Sequence, residues 1–430
     1  MSNPAGSTTE RQKRSMHDKP TSMRCRCCGA EVTHLVVDLG LSPLCESLVH
    51  ADQLDQPETF YPLRVYVCDQ CWLVQLHDHV SGVEIFDDKY AYASSMSSTW
   101  LAHCESFVEE ISSRLDLNAN SFVVEVASND GYLLKNFVQR GVPCLGIEPA
   151  SLLAAAAEAK GIPVRRDYFG RRLAAVLSKE GIRADLMIGN NVLAHVPDLH
   201  DFLGGFKQTL AMNGTITFEF PHLLNLIQKN QFDTIYQEHY CYLSVIALQR
   251  VFAINDLRIY DVETLPTHGG SLRIYVCHTQ SQISTELSVS RLIDHERTAG
   301  LDTLAIYDSF AQSVCETKWK LLEFLIAARR AGKRVAGYGA PGKGNTLLNY
   351  CGIREDLVEF TVDRNPMKQG TFLVGSRIPV YEPDVIDRER PDYILILPWN
   401  LRDEIIEQLK HVRDWGAQFV VPIPHLEIIP

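Results

Sequence analysis

Two cysteine pairs near the N-terminus, Cys25-x-x-Cys28 and Cys68-x-x-Cys71, have the spacing of metal knuckles. Each pair lets two thiolates converge, and two such knuckles complete a tetrahedral site for Zn2+. Gly29 follows the first pair, where the knuckle turn calls for a positive φ. A site closed by thiolates has no open coordination position, so the expected zinc is structural. Cys27 is a spare thiol inside the first knuckle. Far downstream, Tyr236-Gln-Glu238-His239 brings a phenol, a carboxylate and an imidazole together, and His195 lies in Asn190-Asn-Val-Leu-Ala-His195-Val-Pro. Histidine titrates near neutral pH and is a natural general base, which a neighbouring Glu can orient or make more basic. The plainer alternative is that His239 and Tyr236 pack ahead of the next helix.

Two further stretches have the grammar of nucleotide turns. The first is Glu125-Val-Ala127-Ser-Asn129-Asp130-Gly131, ending a buried strand run. Small residues there let backbone approach a ligand at the carboxyl end of a sheet. Glu148, after the second strand, is placed for ribose hydroxyls, and Asp167, after the third, lies near where an adenine amine would sit. Ala127 and Asn129 stand where glycines often do. The second stretch is Gly337-Tyr-Gly339-Ala-Pro-Gly342-Lys343-Gly344-Asn345, between a strand and a helix, with Asp363 ending the next strand. This satisfies the dinucleotide fingerprint in its required context. Its physics specifies a pyrophosphate at a helix N-terminus, which a nucleotide sugar carries as well as NAD does. Lys343 adds a positive charge, and Arg273 is a candidate for another.

The elements that must position these groups follow from the hydrophobic pattern. Runs at 121–127, 144–148, 163–166, 184–189 and 214–220 alternate with helical segments, which implies a parallel sheet covered on both faces. Runs at 257–264 and 271–277 are joined by Leu-Pro-Thr-His-Gly-Gly, too short for a crossover helix. They should pair antiparallel at the sheet edge. Five parallel strands and a terminal antiparallel pair is the layout of class I methyltransferases and favours S-adenosylmethionine as the ligand of the first turn. An amphipathic helix at 309–331 leads to a smaller Rossmann-like unit with strands at 334–338, 358–362, 393–397 and 418–422. The α/β chain thus divides into a disordered tail (1–22), a zinc-binding domain (23–85), a central domain (86–308) and a C-terminal domain (309–430).

Composition narrows the function. With 41 basic and 53 acidic residues the formal net charge is −12, which argues against nucleic acid as the main ligand. No apolar run approaches a membrane span and the polar N-terminus lacks an apolar signal core, so a cytoplasmic protein with no membrane partner is expected. A zinc-headed nucleic-acid binder lacks its basic stripe with interleaved aromatics.

Taken together, the motifs become specific. The cysteine pairs, Glu125-x-Ala-Ser-Asn-Asp-Gly131-Tyr-Leu-Leu, Gly146-Ile-Glu-Pro-Ala150, Tyr236-x-Glu238-His239-x-x-Tyr-Leu-Ser, Thr267-His-Gly-Gly-Ser-Leu-Arg273 and Gly337–Asn345 stand in one order. In that order the chain from about residue 23 onward resembles the S-adenosylmethionine-dependent nucleotide-sugar C-methyltransferases of deoxysugar biosynthesis. These act, for example, at the 3-carbon of dTDP-4-keto-2,6-dideoxyhexoses. The resemblance implies His239 as base, with Tyr236, Glu238, His195 and Tyr90 beside it. It implies a C-terminal domain contributing to the site for an NDP-4-keto-deoxysugar. Gln237 departs from the family's usual histidine. Each functional part lies in one chain, so a monomer is expected. The rival is an NAD(P)-dependent nucleotide-sugar oxidoreductase, or a bifunctional enzyme, using Gly337–Gly344. O- or N-methylation would need no carbon base.

Overall fold

The computed structural model describes residues 23–80, 95 and 98–430. The expected tail and Tyr90 lie outside the described residues. The head opens with a small hairpin, β1 (Met23–Arg24) and β2 (Glu31–Val32), followed by β3 (His34–Ser42), β4 (Tyr61–Val67) and β5 (Val74–Leu76). Helix Ser98–Arg114 then leads into the central sheet.

That sheet contains β6 (Val123–Val126), β7 (Cys144–Ile147), β8 (Val164–Arg165), β9 (Ala184–Asn190) and β10 (Leu210–Pro221). The short β11 (Cys241–Tyr242) leaves it, and β12 (Leu257–Leu265) and β13 (Ser271–His278) complete it. The order is β12-β13-β10-β9-β6-β7-β8. β13 runs antiparallel to both neighbours, so it alone points against the other six. This is the reversal that the short connector requires. β6, β7 and β13 are buried at every position, as strands covered on both faces must be.

Helix Leu304–Arg330 crosses to the C-terminal domain and packs on β3 of the head. The third sheet contains β14 (Val335–Tyr338), β15 (Thr361–Val362), β16 (Val380–Tyr381), β17 (Tyr393–Ile396), β18 (Gln418–Val421) and β19 (Glu427–Ile429). Its order is β16-β15-β14-β17-β18-β19, parallel except for β19. Counted within each domain, both large sheets run third, second, first, fourth, fifth. Each therefore has a crevice between its first and fourth strands, where ligands of such sheets bind.

The head is not a separate body. β11, which follows His239, pairs with β5 and extends the head sheet to β11-β5-β4-β3. The four knuckle cysteines share one apolar core with β6, β9, β10 and β13. The inner faces of β3 and β4 share another with the C-terminal domain.

Candidate active site

The knuckles come together as their spacing requires. The sulfurs of Cys25, Cys28, Cys68 and Cys71 lie within 4.8 Å of one another, with Cys25–Cys71 and Cys28–Cys68 at 3.5 Å. A tetrahedral ion with metal–sulfur bonds of about 2.3 Å needs sulfurs roughly 3.8 Å apart, so this cage fits zinc. Gly29 takes φ +72° as expected, and Trp72 takes φ +61° at the equivalent place in the second knuckle.

At the end of β6, Ala127, Asn129 and Gly131 have φ of 58°, 50° and 75°. The turn keeps a glycine-type backbone while two side chains stand where glycine is easiest. Glu148 holds this shape. Its carboxylate accepts hydrogen bonds from the Asn129 and Ala150 amides, each at 2.9 Å. Burial raises the Glu148 carboxyl above its ordinary value, and those amides work against the rise. Glu125 is fully buried, and burial pushes its carboxyl well up. Lys160 Nζ donates to the Asp130 carbonyl at 2.6 Å and to its Oδ2 at 3.1 Å. Ser128 Oγ, Asp130 Oδ1 and Asn190 Oδ1 are buried with no protein partner. Asp130 follows the end of β6 and Asn190 ends β9, while Ser128 Oγ faces Gly146 of β7. Asp167 is paired with Arg172 and with the Tyr168 amide.

The catalytic candidates converge beyond β9 and β10. His239 Nδ1 donates to the Thr234 carbonyl at 2.8 Å. That fixes the tautomer and leaves Nε2 with its lone pair. The Tyr236 ring lies 4.1 Å from the His239 ring, and His195 meets it edge-on at 4.7 Å. Burial first, then the charges of His195, Lys343 and His268, hold His239 well below the ordinary histidine value. Burial also lowers His195 to about 4. Both rings are therefore neutral at pH 7.

Glu238 departs from expectation. It does not orient His239; the Thr234 carbonyl does. Glu238 turns instead toward Cys45, whose Sγ is 4.0 Å from Oε1. Burial and then Glu46 raise the Glu238 carboxyl to about 8.

The sequence reading did not single out His268, Asn191, Asp233 or Trp399, which belong to the same neighbourhood. His268 has φ +52°, contacts Asn191 Nδ2 at 3.5 Å and is lowered to about 4 by burial and then Lys343. Trp399 Nε1 donates to Asp233 Oδ2 at 2.7 Å, and Asp233, raised to about 7 by burial, precedes the Thr234 that holds the base. A histidine directly before two glycines in the six-residue strand reversal was the available signal for His268. Asp233 and Trp399 meet across 166 positions and carry no local signal.

The C-terminal turn is shaped as the fingerprint demands but is not an open anion cradle. Gly342 N donates to Glu46 Oε1 at 2.9 Å, so a carboxylate from the head occupies the helix N-terminus. Lys368 Nζ clamps Glu46 Oε2 at 3.1 Å and the Ala340 carbonyl at 2.7 Å. Asp363 Oδ2 takes the Ala340 amide at 2.7 Å. Gly337 allows β14 to pack on Thr361, while Gly339 and Gly344 are pressed by Pro398 and Leu397. Asn345 donates to the Cys45 carbonyl at 2.6 Å. Lys343 is the exception. Its Nζ bonds Asn400 Oδ1 at 2.8 Å, lies 4.6 Å over Trp399, and its charge is felt by His239 and His268. Arg273, expected near a pyrophosphate, is instead buried against Glu219 at 3.0 Å and Glu263 at 3.3 Å.

Three family models match successive parts of the chain. They are a zinc binding domain at residues 25–86, a methyltransferase domain at 98–262 and a C-methyltransferase C-terminal domain at 266–424. The C-methyltransferase NovU of Streptomyces niveus is 34% identical over 405 residues, covering 94% of this chain and 96% of the relative. The chain belongs to this C-methyltransferase family. Among solved structures, an S-adenosylmethionine-dependent methyltransferase from Clostridium acetobutylicum ATCC 824 is 12% identical, with a TM-score of 0.33. That match covers 40% of this chain and 90% of that one. Magnesium protoporphyrin IX methyltransferase from Synechocystis PCC 6803 is 13% identical over 41% of this chain and 83% of that one, with a TM-score of 0.33.

As a C-methyltransferase, the enzyme uses S-adenosylmethionine, and its central domain has a site that fits it. The turn at the end of β6 offers a glycine-type backbone with Glu148 beside it, and Ser128, Asp130 and Asn190 around it hold buried oxygens with no protein partner. The four-thiolate cage of the C-methyltransferase head is its zinc site. No helix among the described residues is long and apolar enough to cross a membrane.

Proposed function

We propose that this C-methyltransferase methylates a carbon α to the keto group of an NDP-4-keto-deoxysugar, with His239 as the base. S-adenosylmethionine, when bound, supplies a sulfonium methyl that a carbon nucleophile can take. Glu125, Ala127, Asn129, Asp130, Gly131, Glu148, Asp167 and Asn190 are the residues assigned to hold it.

The observation that carries the reading is the His239 hydrogen bond to the Thr234 carbonyl. It presents a neutral imidazole nitrogen beside Tyr236, His195 and His268, at the sheet end where the donor crevice opens. Sulfur, nitrogen and oxygen acceptors already have lone pairs, but a ketose carbon must first lose a proton. His239 Nε2 takes that proton and the keto oxygen takes the enolate charge. A base held below its usual pKa is a weak one, so the enolate needs support from donors and charge. His195, His268 and a tyrosine hydroxyl are donors at hand, and Lys343 brings a cation. Glu46 takes the place of a pyrophosphate at the helix N-terminus of the C-terminal turn, which argues against NAD(P) bound there and equally against the sugar nucleotide's pyrophosphate resting on those amides.

The test is to incubate the full chain with methyl-labelled donor and a panel of NDP-4-keto-deoxysugars, with product mass and NMR as readouts. A product bearing a new carbon-bound methyl is expected. His239→Ala should slow transfer by about 10²–10⁴-fold and stop exchange of the α-proton with deuterated solvent. Native exchange in that variant would overturn the base. NADH oxidation at 340 nm with the same panel would restore the oxidoreductase reading.

A further inference from the structure

One fully buried side chain ties the metal-binding knuckle to the strand that pairs with the catalytic segment. Gln75 lies in β5 and uses every polar function it has. Its Nε2 donates to Cys25 Sγ and to the Leu73 carbonyl, both at 3.3 Å. Its Oε1 accepts the Arg26 amide, inside the first knuckle, at 3.0 Å. Its backbone stands opposite Cys241 in β11, two positions after His239. The neighbouring Leu76 amide donates to the Tyr240 carbonyl at 2.9 Å, and Arg26 returns to the Leu76 carbonyl at 2.6 Å while its guanidinium lies 5.4 Å over the Tyr240 ring. Tyr240 is itself tied to the Val80 carbonyl at 2.9 Å. A short chain of hydrogen bonds thus runs from a metal-binding sulfur to the residue next to the base.

We propose that Gln75 is a positioning residue through which the thiolate site sets the placement of His239. The inference rests on His239 being the base. The His239 ring is held by the Thr234 carbonyl and by the Tyr236 and His195 rings, while the backbone that follows it is fixed at β11, which belongs to the head sheet and not to the central sheet. A two-residue strand gives little pairing of its own, so its place depends on β5. β5 in turn is paired with β4 along its length and is tied to the first knuckle by the Gln75 side chain. A buried amide is costly unless satisfied, and leucine would fill the same volume without that cost. Glutamine earns its place here only by bonding the sulfur and the knuckle backbone. Partners of metal ligands commonly tune both the metal and what surrounds it.

The test uses the full chain as Gln75→Leu and, as a near-isosteric second variant, Gln75→Met. Four readouts are taken: zinc content, the thiolate charge-transfer band after cobalt substitution, S-adenosylmethionine affinity by calorimetry, and α-proton exchange alongside methyl transfer. Both variants are expected to keep their metal and their donor affinity. The cobalt band should shift as the N–H···S bond is lost, and exchange and kcat should fall together by about tenfold or more. Native exchange and kcat with a shifted cobalt band would overturn the proposal. So would loss of donor affinity in both variants, which would mean a role in the whole fold. His239→Ala runs in parallel. If it loses exchange while the Gln75 variants keep it, only the positioning role fails; if it keeps native exchange, the base reading fails and this inference falls with it.

Discussion

The chain builds the same turn twice and uses it in two ways. In the central domain and in the C-terminal domain alike, a buried first strand ends in a small-residue turn. In both, an acid after the second strand clamps the turn's amide: Glu148 on Asn129, Asp363 on Ala340. The difference lies beyond the clamp. In the central turn, Ser128, Asp130 and Asn190 present buried oxygens with no protein partner. In the C-terminal turn, Glu46 fills the helix N-terminus and Pro398 closes on Gly339. A fingerprint fixes a backbone shape; what occupies that shape depends on the rest of the chain. At the C-terminal turn it is the Lys343 charge, and not the turn's amides, that is felt by His239 and His268.

Removing each acid should separate the two turns most clearly. Glu148→Ala removes a buried acceptor of two amides and should weaken S-adenosylmethionine binding by about 10–100-fold, read by calorimetry. Equal donor affinity in this variant and the native enzyme would break the contrast. Glu46→Ala should leave donor affinity unchanged and cost about 1–2 kcal/mol of stability in denaturant titrations. It should also make inorganic pyrophosphate bind more tightly than it does to the native chain; an unchanged affinity would mean the turn is shut by Pro398 alone.

A subtler effect concerns pH. His239 is held low by burial first and then by His195, Lys343 and His268. The native acid limb of kcat/KM should therefore lie below pH 6.5, because the base stays unprotonated there. Lys343→Met removes a positive charge, so the His239 pKa rises and the limb moves to higher pH. An unmoved limb would show that Lys343 does not act on the base. The smallest effect should come from Ala127→Gly. It relieves a left-handed alanine but frees the unfolded chain, for a net change of about 1 kcal/mol or less. A melting scan checks it, with donor affinity retained.

Much of this was legible in the sequence for identifiable reasons. The buried runs gave strands because both faces of these sheets are covered, and six residues between two runs could only reverse the chain. The knuckles were legible because their ligands are close in sequence. What could not be read was non-local. Glu46 reaches Gly342 across 296 positions, and β11 joins a head strand rather than its own domain's sheet. Glu238 sits one residue from the base, and proximity suggested a partnership that backbone direction denies. Arg273 looked like an anion ligand because its neutralising partners depend on strand register: Glu263 in β12 and Glu219 in β10 both stand directly opposite it. Ala127 and Asn129 were recognised as departures from glycine, but their left-handed backbone was visible only in the fold.

The sharing of β11 between head and catalytic segment bears on how such enzymes can be recombined. A crossover placed between the head and the central domain would leave β5 from one parent facing Cys241–Tyr242 from another, and a Glu46 facing a foreign Gly342. Chimeras that exchange residues 23–80 alone should express poorly. Those that carry 235–244 and 337–346 with the head keep each contact with its own partner, and are the natural units of exchange for this scaffold.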